Sequence, residues 1–200
     1  METFKDRVRK AVEMMRGDSS IKYIKIKYDG KRANSEADWH KVVNPIGGMW
    51  RAFVFQILRK LPPMKLKNSI YRMFGVKIGK DAAIAYNVFP DPLYPEFLEI
   101  GDGTLIGSDL ELSTHEFTNK WFALGRTKIG KNCMIGGYVL IKPGTTIGDK
   151  SMIGILSYVN KDVPANEFWA GIPAKLIKQV GVDDTAMHKD MEIYRYEDKK

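Results

Sequence analysis

Sulfur and imidazole are scarce in this chain. One cysteine, Cys133, stands among 200 residues, which excludes a disulfide framework and any cysteine-based zinc site. Only three histidines, His40, His115 and His188, are available for proton transfer near neutral pH. Long apolar runs are lacking too. Nothing approaches the roughly 18–20 residues that cross a bilayer, and the opening METFKDRVRK does not lead into the apolar core of a secretory signal. The expectation is a soluble, cytoplasmic protein. Hydrophobic content of 44% with 28% charged residues is that of a globular chain.

Charge is unevenly spread. Residues 1–80 hold 19 Lys and Arg against 7 Asp and Glu, whereas residues 81–200 hold 13 against 17. A basic balance confined to the N-terminal part argues against a nucleic-acid partner for the whole chain. It leaves a local contact with phosphates or a membrane surface.

In that basic part, Phe4, Val8, Ala11, Val12 and Met15 recur at helical spacing, and Gly17 with Asp18 ends the segment. The alternation in IKYIKIKY (21–28) predicts a strand. Ile46, Met49, Trp50, Phe53, Val54, Ile57, Leu58 and Leu61 predict one apolar stripe on a helix, stopped by Pro62-Pro63, and Leu66, Ile70 and Phe74 suggest a second short helix. The favoured reading is that the stripe packs on the rest of the fold, with Arg51, Arg59 and Lys60 on the wet face. The alternative is that residues 46–74 lie on an anionic membrane.

From Ile78 onward the pattern changes to a period of six. Ile78-Gly79 and Ile84-Ala85 are followed by Ile100-Gly101, Ile106-Gly107 and Leu112-Ser113. A longer block then runs through Ile129, Ile135, Ile141, Ile147, Ile153 and Val159. Four places after each aliphatic residue comes a small or β-branched one in most repeats, from Ala82 and Val88 to Cys133 and Val163, with Leu110 larger and Glu116 breaking the rule. Six steps scatter side chains around an α-helix, but six is a multiple of two, so in extended chain all of them face one side. Short strands bent every six residues describe a parallel β-helix. The spacing fails twice, from Ile84 to Ile100 and from Leu112 to Ile129, neither of which is a multiple of six. Each gap is therefore expected to hold an extruded loop.

These repeats, with THE (114–116) at the second gap, KIGKNCMIGGYVLIKPGTTIGDKSMIG (128–154) and NKDVPANEFWAGIPAKLIK (160–178), resemble the hexapeptide-repeat acyltransferases, the group of the maltose and galactoside O-acetyltransferases. The likeness covers about residues 76–178. It implies a mainly β protein: a left-handed parallel β-helix over 76–178, an N-terminal helical and strand extension over 1–75, and a short C-terminal tail over 179–200. It also implies a homotrimer and a CoA-dependent acyltransferase, with acetyl-CoA as co-substrate and a sugar or similar hydroxylated small molecule as acceptor.

On the same likeness His115 is the catalytic residue, a general base that takes a proton from the acceptor as it attacks the thioester carbonyl. Gly137, Ile155, Asn160 and Lys161 match positions beside the pantetheine arm, Lys175 and Lys178 match basic residues near the CoA phosphates, and Asn87 falls near an acceptor-binding asparagine. Ile155-Leu156 and Asn160 depart from the family, where small residues and threonine are usual.

Other readings of these residues are weaker. Glu116 reads as an exposed acidic neighbour of His115 more than as its orienting partner. Cys133 fills a small-residue slot and reads as core. GRTKIGKN (125–132) nearly spells a phosphate-binding loop but ends in Asn132, without the hydroxyl that Mg²⁺ requires. A gamma-class carbonic anhydrase needs three converging histidines, and the repeat region has His115 alone. The remaining rival is a non-catalytic β-helix scaffold docking an anionic partner. No metal is expected.

Overall fold

A computed structural model describes residues 2–181. The tail from residue 182 onward, with His188, lies outside the described residues. The N-terminal part is mainly helical: α1 (Phe4–Gly17), the short α2 (Trp39–Val42), α3 (Pro45–Leu58) and α4 (Lys65–Met73). From Lys77 the chain becomes short strands stacked in parallel on three faces. One face stacks Lys77–Ile78, Leu98–Ile100, Thr127–Ile129 and Thr146–Ile147; another stacks Phe89–Pro90, Glu111–Leu112, Leu140–Ile141 and Tyr158–Val159. The third begins with Ala83–Ile84 and closes with the antiparallel pair Glu167–Ala170 and Lys175–Gln179.

The six-residue period does what its arithmetic implies. Every aliphatic residue of the series from Ile78 to Val159 is buried, and so is the small-residue column, including Thr104, Cys133, Ser151 and Ser157. The hydroxyls of Thr104, Ser151 and Ser157 donate to carbonyls of Gly130, Pro164 and Gly154, so their burial leaves no polar group unpaired.

Stacking also measures the two gaps. In the later coils each aliphatic residue pairs with the one three repeats further on, as in Ile129↔Ile147 and Ile141↔Val159. Across the first gap the partners lie slightly further apart in the chain, Ile78↔Ile100 and Pro90↔Leu112. Across the second they lie much further apart, Ile100↔Ile129 and Leu112↔Ile141. The first coil thus expels a short insertion and the second a long one. The long insertion leaves the coil as a hairpin, His115–Phe117 against Trp121–Gly125. Its outer edge takes the predicted N-terminal strand, Tyr23–Lys27, in antiparallel register from Tyr23↔Gly125 to Lys27↔Trp121. α1 covers this small sheet, burying Phe4, Val8 and Met15 with Ile26, Phe122 and Leu124 in a second core.

The apolar stripe of α3 divides, contrary to the single packed stripe expected. Phe55 and Leu58 are buried, and Val54 and Leu61 pack partly buried against the β-helix core. Ile46, Met49, Trp50, Phe53 and Ile57 face away from it, between 53% and 83% exposed. The expectation of a wet face for Arg51 and Arg59 fails for a related reason. The first coil has no strand below it, so its carbonyls lack partners. In chain order, Arg72 donates to the carbonyls of Ile78 and Gly79, Asn68 to Ala82, Lys67 to Ile84 and Ala85, and Arg59 to Asn87. Arg51 donates to Pro92 and Leu93. Polar side chains of α3 and α4 thus close the open end, and burial has pushed the Lys67 ammonium down to about 8. Two neighbouring phenylalanines should consequently behave differently in urea denaturation. Phe55→Ala is expected to cost about 3–5 kcal/mol, and Phe53→Ala to stay within about 0.5 kcal/mol of the parent.

Candidate active site

His115 opens the inserted hairpin, one residue past buried Thr114. The in-register pair Pro90↔Leu112 sets Asp91 one coil away from this exit point. Asp91 Oδ2 lies 2.5 Å from His115 Nδ1 and accepts from the Thr114 amide and hydroxyl at 2.8 Å each. Its other oxygen accepts from the amides of Leu93 and Tyr94 at 2.8 and 3.3 Å. A carboxylate only accepts, so Nδ1 carries the proton and Nε2 is left with its lone pair.

The imidazole is held by packing as well. Its ring lies 4.9 Å from that of Phe117, 6.1 Å from Phe122 and 6.4 Å from Tyr94, and 19% of its side chain remains exposed. Burial by itself lowers the His115 pKa, but the Asp91 charge and hydrogen bond outweigh it, and the net direction is upward. For Asp91 the same contest runs the other way. Burial pushes the carboxyl up, while the His115 charge and hydrogen bond, with the Thr114 and Leu93 amides, bring it below the ordinary carboxylate range.

Sequence reading did not find Asp91. A signal existed in FPDPLYP (89–95), an acid between prolines at the other break in the repeat, but only coil register relates it to His115. Glu116 is half-buried and turned to the Tyr23 hydroxyl, 3.4 Å away. Cys133 lies in the core, where burial raises its thiol pKa.

The other sequence candidates fall in smaller groups. Gly137 and Ile155 share a corner, where the Gly137 carbonyl accepts from the amide of Leu156. Ile155 and Leu156 stand 69% and 61% exposed, so their bulk extends the outer wall without entering the core. Asn160 and Lys161 line a surface depression with Lys22, Tyr23 and Lys142, and Tyr23 joins it to Glu116 beside His115. The Lys161 ammonium rests 4.9 Å over the Trp169 ring. Lys175 and Lys178 lie on the exposed closing strand. Asn87 has both side-chain ends engaged, donating to Asp109 at 2.9 Å and accepting from Lys60 at 2.9 Å.

Comparison with known proteins bears on the family and the fold. The family model "Bacterial transferase hexapeptide (six repeats)" matches residues 126–162. YvoF of Bacillus subtilis, a protein described as an acetyltransferase, is 37% identical over 125 residues, covering 62% of this chain and 73% of the relative. The chain belongs to the hexapeptide-repeat acetyltransferases. The galactoside O-acetyltransferase of Escherichia coli K12 is 38% identical over 138 residues, 64% of this chain and 66% of that protein. A crystal structure of a hexapeptide-repeat acetyltransferase from Vibrio cholerae, complexed with acetyl coenzyme A, superposes with a TM-score of 0.56 at 21% identity, covering 69% of this chain and 90% of the other. Its likeness is one of fold, the left-handed parallel β-helix. On its sequence relatives the chain is an acyltransferase, as the family resemblance implied.

The contact with Asp91 has a consequence for pH dependence. A histidine base acts only when neutral, so activity should rise with pH through a midpoint above the ordinary histidine value of about 6.5. In Asp91→Asn the opposing effect of burial is no longer offset, and the midpoint of kcat/KM should move down. The same substitution removes tautomer control and should lower kcat by about 10²–10⁴-fold. A midpoint unchanged by Asp91→Asn would show that the pair does not set the titration.

Proposed function

We propose that the protein transfers an acetyl group from acetyl-CoA to a hydroxyl of a sugar or similar small molecule. The observation that carries this reading is the Asp91–His115 pair at 2.5 Å, because it leaves Nε2 as the one free basic atom of the imidazole. Nε2 takes the proton of the acceptor hydroxyl as its oxygen attacks the thioester carbonyl; the C–S bond then breaks, and the imidazolium returns that proton to the sulfur so that CoA leaves as its thiol. The imidazolium so formed lies against the Asp91 carboxylate, which stabilises it. Asp91 is a positioning residue and His115 the catalytic one.

The residues assigned to the donor suit its chemistry. Lys175 and Lys178 supply cationic donors for phosphates, and exposed Ile155 supplies an apolar wall beside the arm, to which Lys161 is also assigned. Gly137 and Asn160 flank the same path, and Asn87 is assigned to the acceptor side. A homotrimer belongs to this reading, supported by apolar side chains bare on the strand faces, among them Leu105, Met134 and Leu140. Among the described residues no three His, Cys, Asp or Glu side chains converge.

The test is release of free CoA thiol from acetyl-CoA with a panel of mono- and oligosaccharides. Hydroxylamine should cleave the acetylated product, as it does an ester and not an amide. His115→Ala is expected to lower transfer by about 10²–10⁴-fold while acetyl-CoA binding persists. Wild-type kcat in that variant would remove His115 from the role.

A further inference from the structure

The bare side of α3 is used by neither the fold nor the acetyl-transfer reading. Ile46, Met49, Trp50, Phe53 and Ile57 follow one another at helical spacing and are all more than half exposed. Trp50 and Phe53 stack on each other in this exposed position, ring centroids 5.9 Å apart. Met73 of α4 is 83% exposed as well. Poor packing does not explain the exposure, because the opposite side of α3 buries Phe55 and Leu58 completely or nearly so.

Charge says what covers this side. From Trp39 to Lys80 the sequence has no aspartate or glutamate, against nine lysines and arginines. Arg51, Arg59, Lys67 and Arg72 bond to backbone carbonyls, which are neutral, so the capping contacts leave their positive charge in place. An apolar strip with Trp and Phe at its centre, carried in an acid-free cationic segment, matches an anionic bilayer surface. Pairing with the same face of a second copy would bring two such cationic segments together. α3 is 14 residues long, and among the described residues no helix is long and apolar enough to cross a membrane. The geometry of such a helix is therefore to lie in the plane of the interface.

We propose that α3 is a membrane-docking helix, seating the protein on anionic lipid through the strip centred on Trp50 and Phe53. This goes beyond the acetyl-transfer reading and does not depend on it, but the two are linked in space. Arg51, next to Trp50, donates to the carbonyls of Pro92 and Leu93, the residues that follow Asp91. A docked α3 thus holds the loop of the Asp91–His115 pair close to the lipid surface, where a hydroxylated acceptor carried on a lipid is within reach.

The test is sedimentation of the full chain with vesicles of phosphatidylcholine alone and of phosphatidylcholine mixed with phosphatidylglycerol. Binding is expected to the mixed vesicles, at least about tenfold weaker to phosphatidylcholine. The double variant Trp50→Ser/Phe53→Ser should lose about tenfold or more of that binding, with unchanged melting temperature, oligomeric state and acetyl-CoA binding. Lys65→Glu, at an exposed position of α4, should weaken binding about fivefold. The proposal is overturned if the parent protein binds neither vesicle, or if the double variant binds as the parent does. A change of oligomeric state in the double variant would also overturn it, by showing that the face joins copies of the chain.

Discussion

A coil of this β-helix makes its strand hydrogen bonds to the coils above and below it, never within itself. Each strand of only two or three residues is stable because its neighbours in the stack are in register. Register is therefore the quantity the structure protects. Extra residues cannot be absorbed by slipping a strand, since a slip would turn every buried isoleucine outward. They leave the coil as loops, and the repeat resumes where it stopped. Both insertions obey this rule, and the candidate active site is built where they leave. Asp91 follows the strand at Pro90, His115 follows the one at Leu112, and the Pro90↔Leu112 pairing brings the two side chains together.

The same constraint operates at the open end. A first coil has carbonyls with nothing beneath them, and leaving them buried and unpaired would cost about 1–3 kcal/mol each. Arg72, Asn68, Lys67 and Arg59 supply the missing donors, running antiparallel to the carbonyls they meet. This explains a distribution that looks inverted for a helix on a globular domain. Arg51, Lys67 and Arg72 turn toward the protein because backbone oxygens are there, and a second apolar strip is left facing out. Hydrophobic periodicity alone does not separate two apolar strips on one helix. What distinguishes them is which strip lies beside the basic residues that reach the coil.

At the site, burial and charge oppose each other and charge prevails. Asp91 is fully enclosed, yet three amides, a hydroxyl and an imidazole stabilise its carboxylate. The paired carboxylate in turn raises the basicity of His115. Both side chains belong to the edges of insertions, where the rigid stack stops and the chain is free to turn a side chain toward a substrate.

The sequence by itself determined the β-helix, its buried columns and the choice of His115 as the candidate base. Period six in extended chain decides which side chains point inward, the register break marks the place where the coil opens, and the family resemblance of THE (114–116) at that break singles out the histidine. The strand at 23–27 was legible from its alternation, but its partner was not, because the hairpin it joins exists only once the insertion has been expelled from the coil. Asp91 was hidden for the same reason: it is 24 residues from His115 in the chain and bonded to it in space. The division of the α3 stripe into a packed and a bare strip was also decided by tertiary structure. Spacing shows that a face is apolar, and only the unpaired carbonyls of the first coil determine which way the helix must roll to meet them.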